Sequence, residues 1–382
     1  MSIRSLTYRE GCFVERVAKN VFIKDLKPKD SVDDLFLLKY LAVMESRDGR
    51  SYLNLILSDS SGDIEARKWT NVENVTKLIA KGNVVKIKGK VNLYQGRYQV
   101  IVAQIEKAEE KDQEEMSALV PKAETHPDKM FEELLKIVRE DLDDVYIKDL
   151  LEMVLFDPEV TRRLKVWQAG KTIHHAYQSG LLEHILSCTT LGLTLSKHYK
   201  VNKNYVVLGA ILHDICKIYE LSQGPVVEYS DEGKLVGHLV KSVEIVDHFT
   251  SKIKGFPSVL KLHIKHILLA HHGEYEFGSP KLPQTSEAYL VHLIDLMDSK
   301  MGTFESVKKN DLNPGKWTSY IKHMDRIVYK EELPTFKEYL PERESPLKET
   351  AYKGKKNGGK VRNSSPSPKL GSLLSGFKVE EK

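Results

Sequence analysis

The sequence predicts a multidomain α+β protein in which a small five-stranded β-barrel precedes an all-α domain and a basic, disordered tail. Three observations lead to this prediction. Short apolar stretches separated by turn residues occupy residues 35–106, helical periodicity dominates residues 128–330, and the tail is rich in Lys, Gly, Ser and Pro. The 382 residues are enough for two or three domains with a sizeable core.

The first part of the chain carries the pattern of an OB-fold barrel. That pattern is three strands, a short helix and two further strands, joined by turns such as Gln95-Gly96. The predicted strands cover 35–43, 52–57, 64–69, 84–93 and 97–105, with the helix at 72–80. Residues 1–106 are therefore predicted to form an OB-fold nucleic-acid-binding domain.

Aromatic and basic side chains are expected on the open face of this barrel. Bases of single-stranded nucleic acid stack on such side chains, and arginine adds cation–π contacts. The candidates are Tyr52, Arg67, Trp69, Tyr94, Arg97 and Tyr98. For any one of them alone, packing in the core or at the rim of the barrel is an equally good explanation.

A charged linker over residues 107–127 separates the barrel from a helical domain predicted over 128–335. Apolar residues three and four positions apart predict its helices. These cover 130–138, 145–155, 181–198, 205–212, 240–249, 259–270 and 286–301.

The net charge of +4 is unevenly distributed. Residues 345–382 hold nine Lys/Arg and three Asp/Glu, so the other 344 residues carry about −2. The tail is predicted to be disordered, because it has too little apolar surface to order itself. It can add non-specific attraction to phosphate, whereas the nearly neutral body must bind nucleic acid through a local surface. A body with many apolar helices is also compatible with a homo-oligomer.

Cysteine usage and hydropathy argue for a cytoplasmic protein without membrane contact. The cysteines, Cys12, Cys188 and Cys216, are widely spaced, odd in number and form no CxxC pair, so they suggest neither a disulfide framework nor a zinc-thiolate site. The sequence has no signal-peptide pattern and no apolar run of about 18 residues.

Histidines are concentrated in the predicted helical domain, where 12 of the 14 lie between residues 174 and 292. A lone histidine is usually a surface or core residue, as we expect for His198, His248, His263, His266 and His323. A further set lies in apolar runs or at helix ends, where unpaired His and Asp are costly. Its members are His184, His213, Asp214, His238, His271, His272 and Asp295. Imidazole and carboxylate without thiolate suit Mn²⁺, Mg²⁺, Fe²⁺ or Co²⁺, with Zn²⁺ also open.

These residues match the HD-domain superfamily of metal-dependent phosphohydrolases, and the chain most closely resembles the YhaM (CMP-binding-factor-like) 3′→5′ exoribonucleases. Members of that family join an N-terminal OB-fold to an HD domain. The resemblance covers about residues 15–330. It rests on His174-His175-Ala176-Tyr177, Gly180-Leu181-Leu182-Glu183-His184, His213-Asp214 with Lys217, Gly237-His238, His271-His272-Gly273, Phe277-Gly278-Ser279-Pro280-Lys281, Pro283 and Asp295. The chain departs from the pattern at Cys216, a position at which HD enzymes often carry glycine.

The resemblance implies a metal-dependent hydrolase that shortens single-stranded RNA from its 3′ end to mononucleotides, with single-stranded DNA left open. It implies that His184, His213, Asp214 and Asp295 hold one ion. Asp214 would bridge to a second ion on His238, His271 and, as an open point, His272. A pair of divalent ions can activate water and stabilise the leaving oxygen of a phosphodiester.

Five further residues have both a functional and an ordinary explanation. Lys217 could neutralise charge on the phosphate or be a solvated lysine. Lys281 could contact phosphate or lie in a plain turn. The pair His174-His175 could touch substrate or start a helix. Asp298 could orient a histidine ligand or be a surface carboxylate.

Two alternatives to an exoribonuclease stay open. An HD-domain nucleotide or cyclic-dinucleotide phosphohydrolase uses the same order of ligands, although the Gly-Tyr-Pro element of the cyclic-dinucleotide enzymes is missing after His272. A non-enzymatic binding protein with a degenerate HD domain is disfavoured, because no expected metal position is missing.

Overall fold

The computed structural model of the chain describes residues 19–109, 120–171, 175–224, 226–313 and 315–334. Part of the predicted linker, the whole predicted tail and His174 lie outside these residues. A β-barrel followed by helices fills the described part, as the sequence predicts.

The barrel is closed by five strands in the spatial order β1-β2-β3-β5-β4. All neighbours pair antiparallel except β3 and β5, which are parallel. A single helix, α1 (Val72–Leu78), lies between β3 and β4 in the chain. The strands are β1 (Ser31–Glu45), β2 (Ser51–Asp59), β3 (Gly62–Lys68), β4 (Val84–Tyr94) and β5 (Arg97–Lys107). This arrangement is the OB-fold that the sequence predicts.

Alternation along the strands fills the interior of the barrel and leaves the opposite side chains outside. On β2, Leu53, Leu55 and Leu57 are fully buried. On β5, Tyr98 lies on the same side as the buried Val100 and packs against the barrel core. Tyr98 was expected on the exposed nucleic-acid surface. It is instead a partly buried residue of the barrel interior. Side chains alternate between the two faces of β5, and Tyr98 is two residues from the inward-facing Val100.

Ten helices form the second part of the described chain, and they pack around a large and a smaller buried apolar cluster. They are α2 (Pro127–Glu140), α3 (Val145–Leu155), α4 (Pro158–Leu164), α5 (Gly180–Tyr199), α6 (Lys203–Leu212), α7 (Lys217–Glu220), α8 (Asp231–Leu235), α9 (Gly237–Thr250), α10 (Ser258–Ala270) and α11 (Ser286–Asn310). The seven predicted helices are present. The short helices α4, α7 and α8 were not predicted, because seven residues or fewer give too few turns for a periodic signal.

Residues 311–313 and 315–334 do not continue the helical pattern that the sequence predicts up to residue 330. Asp311 instead accepts backbone N–H groups of Asn313 and Ser319, both at 3.0 Å. Such side-chain acceptors compete with helix formation. Isolated β-bridges join Trp317 to Tyr329 and Ile321 to Arg326.

Apolar and ionic contacts join the barrel to the helical domain. Val226 packs against a small buried cluster of Leu35, Leu37, Val84 and Ala108. Glu228 is paired with Lys81 of the barrel and with Lys171 of the helical domain. No helix in the described residues is long and apolar enough to cross a membrane.

Candidate metal centre

Five helices bring the predicted histidines and carboxylates together. His184 lies inside α5, and His213 and Asp214 directly follow α6, whose residues from Val206 to Leu212 are buried. His238 is in the first turn of α9, His271 and His272 follow α10, and Asp295 lies inside α11. The packing of these helices therefore brings together residues that are more than 100 positions apart in the chain.

The first group consists of His184, His213, Asp214 and Asp295, whose ligand atoms all lie within 4.8 Å of one another. His184 Nε2 is 3.4 Å from Asp295 Oδ1 and 3.5 Å from Asp214 Oδ2. His213 Nε2 lies 3.1 Å from His184 Nε2. Three of the four side chains are almost fully buried, and Asp295 is partly exposed.

The second group consists of His238, His271 and His272, again with ligand atoms within 4.8 Å of one another. Asp214 reaches this group with its other carboxylate oxygen. Its Oδ1 is 3.5 Å from His238 Nε2 and 3.8 Å from His271 Nε2. Asp214 thus presents Oδ2 to the first group and Oδ1 to the second.

All five candidate histidine ligands are held through Nδ1, which leaves Nε2 directed at the two groups. Two acceptors are carboxylates: Asp298 lies 2.7 Å from His184 Nδ1 and Glu220 lies 2.9 Å from His238 Nδ1. The other acceptors are backbone oxygens, that of Ala210 for His213, Leu268 for His271 and Phe277 for His272. Histidine ligands of metal sites are typically oriented in this way by an acceptor on the other ring nitrogen.

Three buried polar atoms at the junction of the groups have no hydrogen-bond partner. They are Asp214 Oδ1, His238 Nε2 and His271 Nε2. A buried group of this kind is costly unless something else satisfies it. Since all three atoms can donate a lone pair and face one another, a divalent cation fits the donor set.

The pKa shifts of Asp214, Asp295 and His271 also fit a cation. Burial alone would raise the pKa of Asp214, but Lys217 and the neighbouring histidines hold it well below its usual range. Burial likewise opposes ionisation of Asp295, whose pKa His184 and His213 nevertheless hold well below normal. Burial lowers the pKa of His271 well below normal, which favours the neutral imidazole that a metal requires.

Lys217 is the first residue of α7, and its ammonium lies 2.6 Å from Asp214 Oδ2. Its side chain is only 15% exposed. Although burial opposes a charge on Lys217, Asp214 and Asp295 raise its pKa. Lys217 is therefore a buried cation of the centre, in contrast to the solvated lysine of the ordinary explanation.

The two described cysteines are buried and protonated. Burial raises the pKa of Cys188 to about 11 and that of Cys216 to about 12. Cys188 Sγ lies 3.7 Å from His184 Nδ1, within hydrogen-bonding distance for sulfur. A neutral thiol is a poor ligand at neutral pH, so the structure agrees with a packing role for both residues.

Other predicted site residues lie outside the two groups. His175 is bound to Asp298 and Tyr177, and Asp298 is bound to His184, as expected of a carboxylate that orients a ligand. Lys281 is exposed on the loop after Gly278. Ser279 Oγ shapes this loop, since it lies 2.7 Å from the Lys281 oxygen and 3.0 Å from that of Leu269.

The barrel carries a compact aromatic and basic surface on β2, β3 and β4. The rings of Tyr52 and Trp69 are stacked with centroids 4.6 Å apart. The Arg67 guanidinium lies 5.6 Å from the Tyr52 ring and 5.3 Å from the Tyr94 ring. Arg97, at the start of β5, donates to the Tyr320 oxygen at 3.1 Å. We call Tyr52, Arg67, Trp69 and Tyr94 the stacking surface.

Sequence reasoning missed two residues that support the second group. Glu220 accepts both the backbone N–H and the Nδ1 of His238, and it lies one turn beyond Lys217. His292 Nδ1 lies 2.9 Å from the His271 oxygen. The spacing Asp214, Lys217, Glu220 is a signal for Glu220, because residues three apart share a helix face. The sequence contains no comparable signal for His292.

Comparisons with known proteins agree with both parts of the fold. The HD domain family matches residues 181–300, and the OB-fold nucleic acid binding domain family matches residues 42–108. The 3′-5′ exoribonuclease YhaM of Oceanobacillus iheyensis is 31% identical over 311 residues, which cover 81% of this chain and 96% of that protein. The protein of the same name from Halalkalibacterium halodurans is 31% identical over 312 residues, covering 81% of this chain and 95% of the relative.

Substitution of Glu220 tests the support of the second group. Glu220→Gln removes the charge that orients His238, so we expect Mn²⁺ affinity at this group to fall by about 10–100-fold. Calorimetric titration of the metal-free full-length protein measures the change. Glu244→Gln on α9 is the matched control, because Glu244 is exposed and pairs with Lys241. Equal Mn²⁺ binding by both variants would contradict this assignment.

Proposed function

The chain belongs to the YhaM family of 3′-5′ exoribonucleases, and we propose that it degrades single-stranded RNA to mononucleotides at the His/Asp centre between α5, α6, α9, α10 and α11. It is a metal-dependent hydrolase with an HD domain and an OB-fold nucleic-acid-binding domain. In this proposal the barrel holds the strand while its 3′ end enters the centre. Single-stranded DNA is a further candidate substrate.

The shared carboxylate of Asp214 is the observation that carries the proposal. It is buried, it faces both groups, and its Oδ1 has no hydrogen-bond partner. We propose that His184, His213, Asp214 and Asp295 hold one ion and that Asp214, His238, His271 and His272 hold a second. Mn²⁺ is the preferred candidate, with Mg²⁺, Co²⁺ or Fe²⁺ as alternatives for N/O ligands.

Bound divalent ions would supply the charge that activates water and stabilises the oxygens of a phosphodiester. The chain's own part is to fix the donors: the Nδ1 contacts hold each imidazole in one orientation before substrate arrives. Fixed charges of this kind need no reorganisation during reaction. Lys217 adds a cation beside Asp214 that can offset negative charge on the phosphate.

RNA reaches the centre, in this proposal, from the stacking surface of the barrel. Trp69 is 41% exposed and Tyr94 47% exposed, so both can accept a base. Arg67 lies between the rings of Tyr52 and Tyr94, where its charge also attracts phosphate. Lys281 and His174 remain candidate substrate contacts.

Two proposals concern the protein as a whole. We place it in the cytoplasm, where RNA is available and where its two described cysteines would stay as free thiols. A homo-oligomer is also proposed, because exposed apolar side chains such as Tyr289, Leu293 and Met297 follow one face of α11.

Asp214→Ala separates catalysis from binding. On a 5′-labelled single-stranded RNA with Mn²⁺, the wild type should give a ladder that shortens from the 3′ end. The variant should give no ladder yet bind RNA as wild type does, because the stacking surface is on the barrel. A sequencing gel and a filter-binding assay measure the two properties. Internal cuts on a 3′-blocked RNA, or activity in the variant, would refute the proposal.

Trp69→Ala tests the stacking surface. Loss of one stacked base should weaken RNA binding by about 1–3 kcal/mol, because each aromatic side chain contributes on that scale. Fluorescence anisotropy with a labelled oligoribonucleotide in the Asp214→Ala background measures affinity without degradation. Tyr199→Ala is the control, since Tyr199 is an exposed aromatic residue at the end of α5. Equal loss in both variants would show that the surface is not specific to the barrel.

A further inference from the structure

A chain of hydrogen bonds leads from the first metal group to residues outside it. It begins at Asp298 on α11, whose Oδ2 lies 2.7 Å from His184 Nδ1 and 3.0 Å from His175 Nε2. Ser187 on α5 donates its hydroxyl to the other oxygen, Oδ1. An ionised carboxylate can only accept, so three donors fix Asp298 in position.

The chain continues through the second ring nitrogen of His175. His175 Nδ1 is 2.9 Å from the Tyr177 hydroxyl oxygen, and that hydroxyl donates to Glu183. Glu183 immediately precedes His184 on α5. The network therefore leaves α5 at His184 and returns to it at Glu183, through two side chains of the preceding loop.

The backbone of His175 is held as firmly as its ring. Its φ of 47° is in the left-handed region, which is unfavourable for a residue with a Cβ. Its carbonyl oxygen accepts from the Ala169 N–H at 3.2 Å. A Cβ at Gly180 would lie 2.1 Å from that oxygen, so only glycine permits this approach. Strained conformations of this kind persist where the surroundings fix them, often at functional sites.

His175 was expected to be a substrate contact, but its surroundings favour another role. Its side chain is 11% exposed, and both ring nitrogens lie within hydrogen-bond distance of protein groups. A ring held in this way has no nitrogen directed at a substrate phosphate.

We propose that His175 and Tyr177 are positioning residues that act through Asp298 to hold His184 in the orientation that binds metal. The inference rests on the metal centre of the proposed function. While Asp298 accepts from His184 Nδ1, the proton of the imidazole stays on that nitrogen. The lone pair of Nε2 then faces Asp214 and Asp295, 3.5 and 3.4 Å away. The hydrogen bond from His175 keeps the Asp298 carboxylate from rotating away from His184. Tyr177, which is itself bound to Glu183, fixes the orientation of the His175 ring.

Mn²⁺ binding to the metal-free full-length protein tests this role without any RNA. His175→Ala should weaken the ion at the first group by about 10–100-fold, as loss of an outer hydrogen-bond partner usually does. His175→Gln should retain most of the affinity, because its amide can still donate to Asp298. Tyr177→Phe should cause a smaller loss, and His198→Ala, an exposed histidine on the same helix as His184, should cause none.

Thermal unfolding distinguishes positioning from a general structural role. Tyr177→Phe should unfold near the wild-type temperature without metal but gain less stability from Mn²⁺, because only the metal-binding orientation is affected. Mn²⁺ binding by Glu220→Gln measures the effect of a change at the second group alone. Wild-type Mn²⁺ affinity in both His175→Ala and Tyr177→Phe would overturn the inference, as would a change confined to the KM for RNA. A wild-type protein that binds no Mn²⁺ would overturn the proposed metal centre itself.

Discussion

The buried carboxylate of Asp214 is the constraint on which the rest of the helical domain depends. An ionised carboxylate among apolar helices is stable only with compensating partners, and here Lys217 and the surrounding imidazoles provide them. Its two oxygens face different groups of histidines. The same side chain therefore defines both halves of the centre. Its two oxygens lie within 3.8 Å of a nitrogen from each of five residues, His184, His213, Lys217, His238 and His271.

Helix ends and outer hydrogen bonds do most of this placement. Residues at the ends of α6 and α10 have unpaired backbone carbonyls nearby, and His213 and His271 use those of Ala210 and Leu268 to fix their rings. For two other histidines of the centre a carboxylate accepts the Nδ1 hydrogen bond. Asp298 does so for His184 and Glu220 for His238. The barrel contributes no ligand to the centre in the described residues. It contributes the stacking surface, so the proposed function assigns binding and hydrolysis to separate domains.

Much of the fold is predictable, because the strands and long helices follow the periodicity of their apolar residues. The positions of the seven candidate ligands are also predictable, since each places a polar group in an apolar run or at a helix end. The inward position of Tyr98 and the roles of His175 and His292 are not, because they depend on strand parity or on contacts between distant elements. Glu220 has only the signal of its spacing from Asp214 and Lys217, and its contact with His238 is visible only in the structure. The sequence does not predict the short helices α4, α7 and α8, because they are too short for a periodic signal. It wrongly predicts helix after residue 310, where Asp311 binds backbone N–H groups instead.

Electron paramagnetic resonance of Mn²⁺ in the full-length protein tests most directly whether Asp214 joins two metal sites. If the carboxylate is shared, saturating Mn²⁺ should give the spectrum of a spin-coupled pair. Asp214→Asn should abolish that spectrum, because the shared ligand loses its charge. A wild-type protein that shows only the spectrum of isolated ions at every Mn²⁺ ratio would contradict the account of a centre built around Asp214.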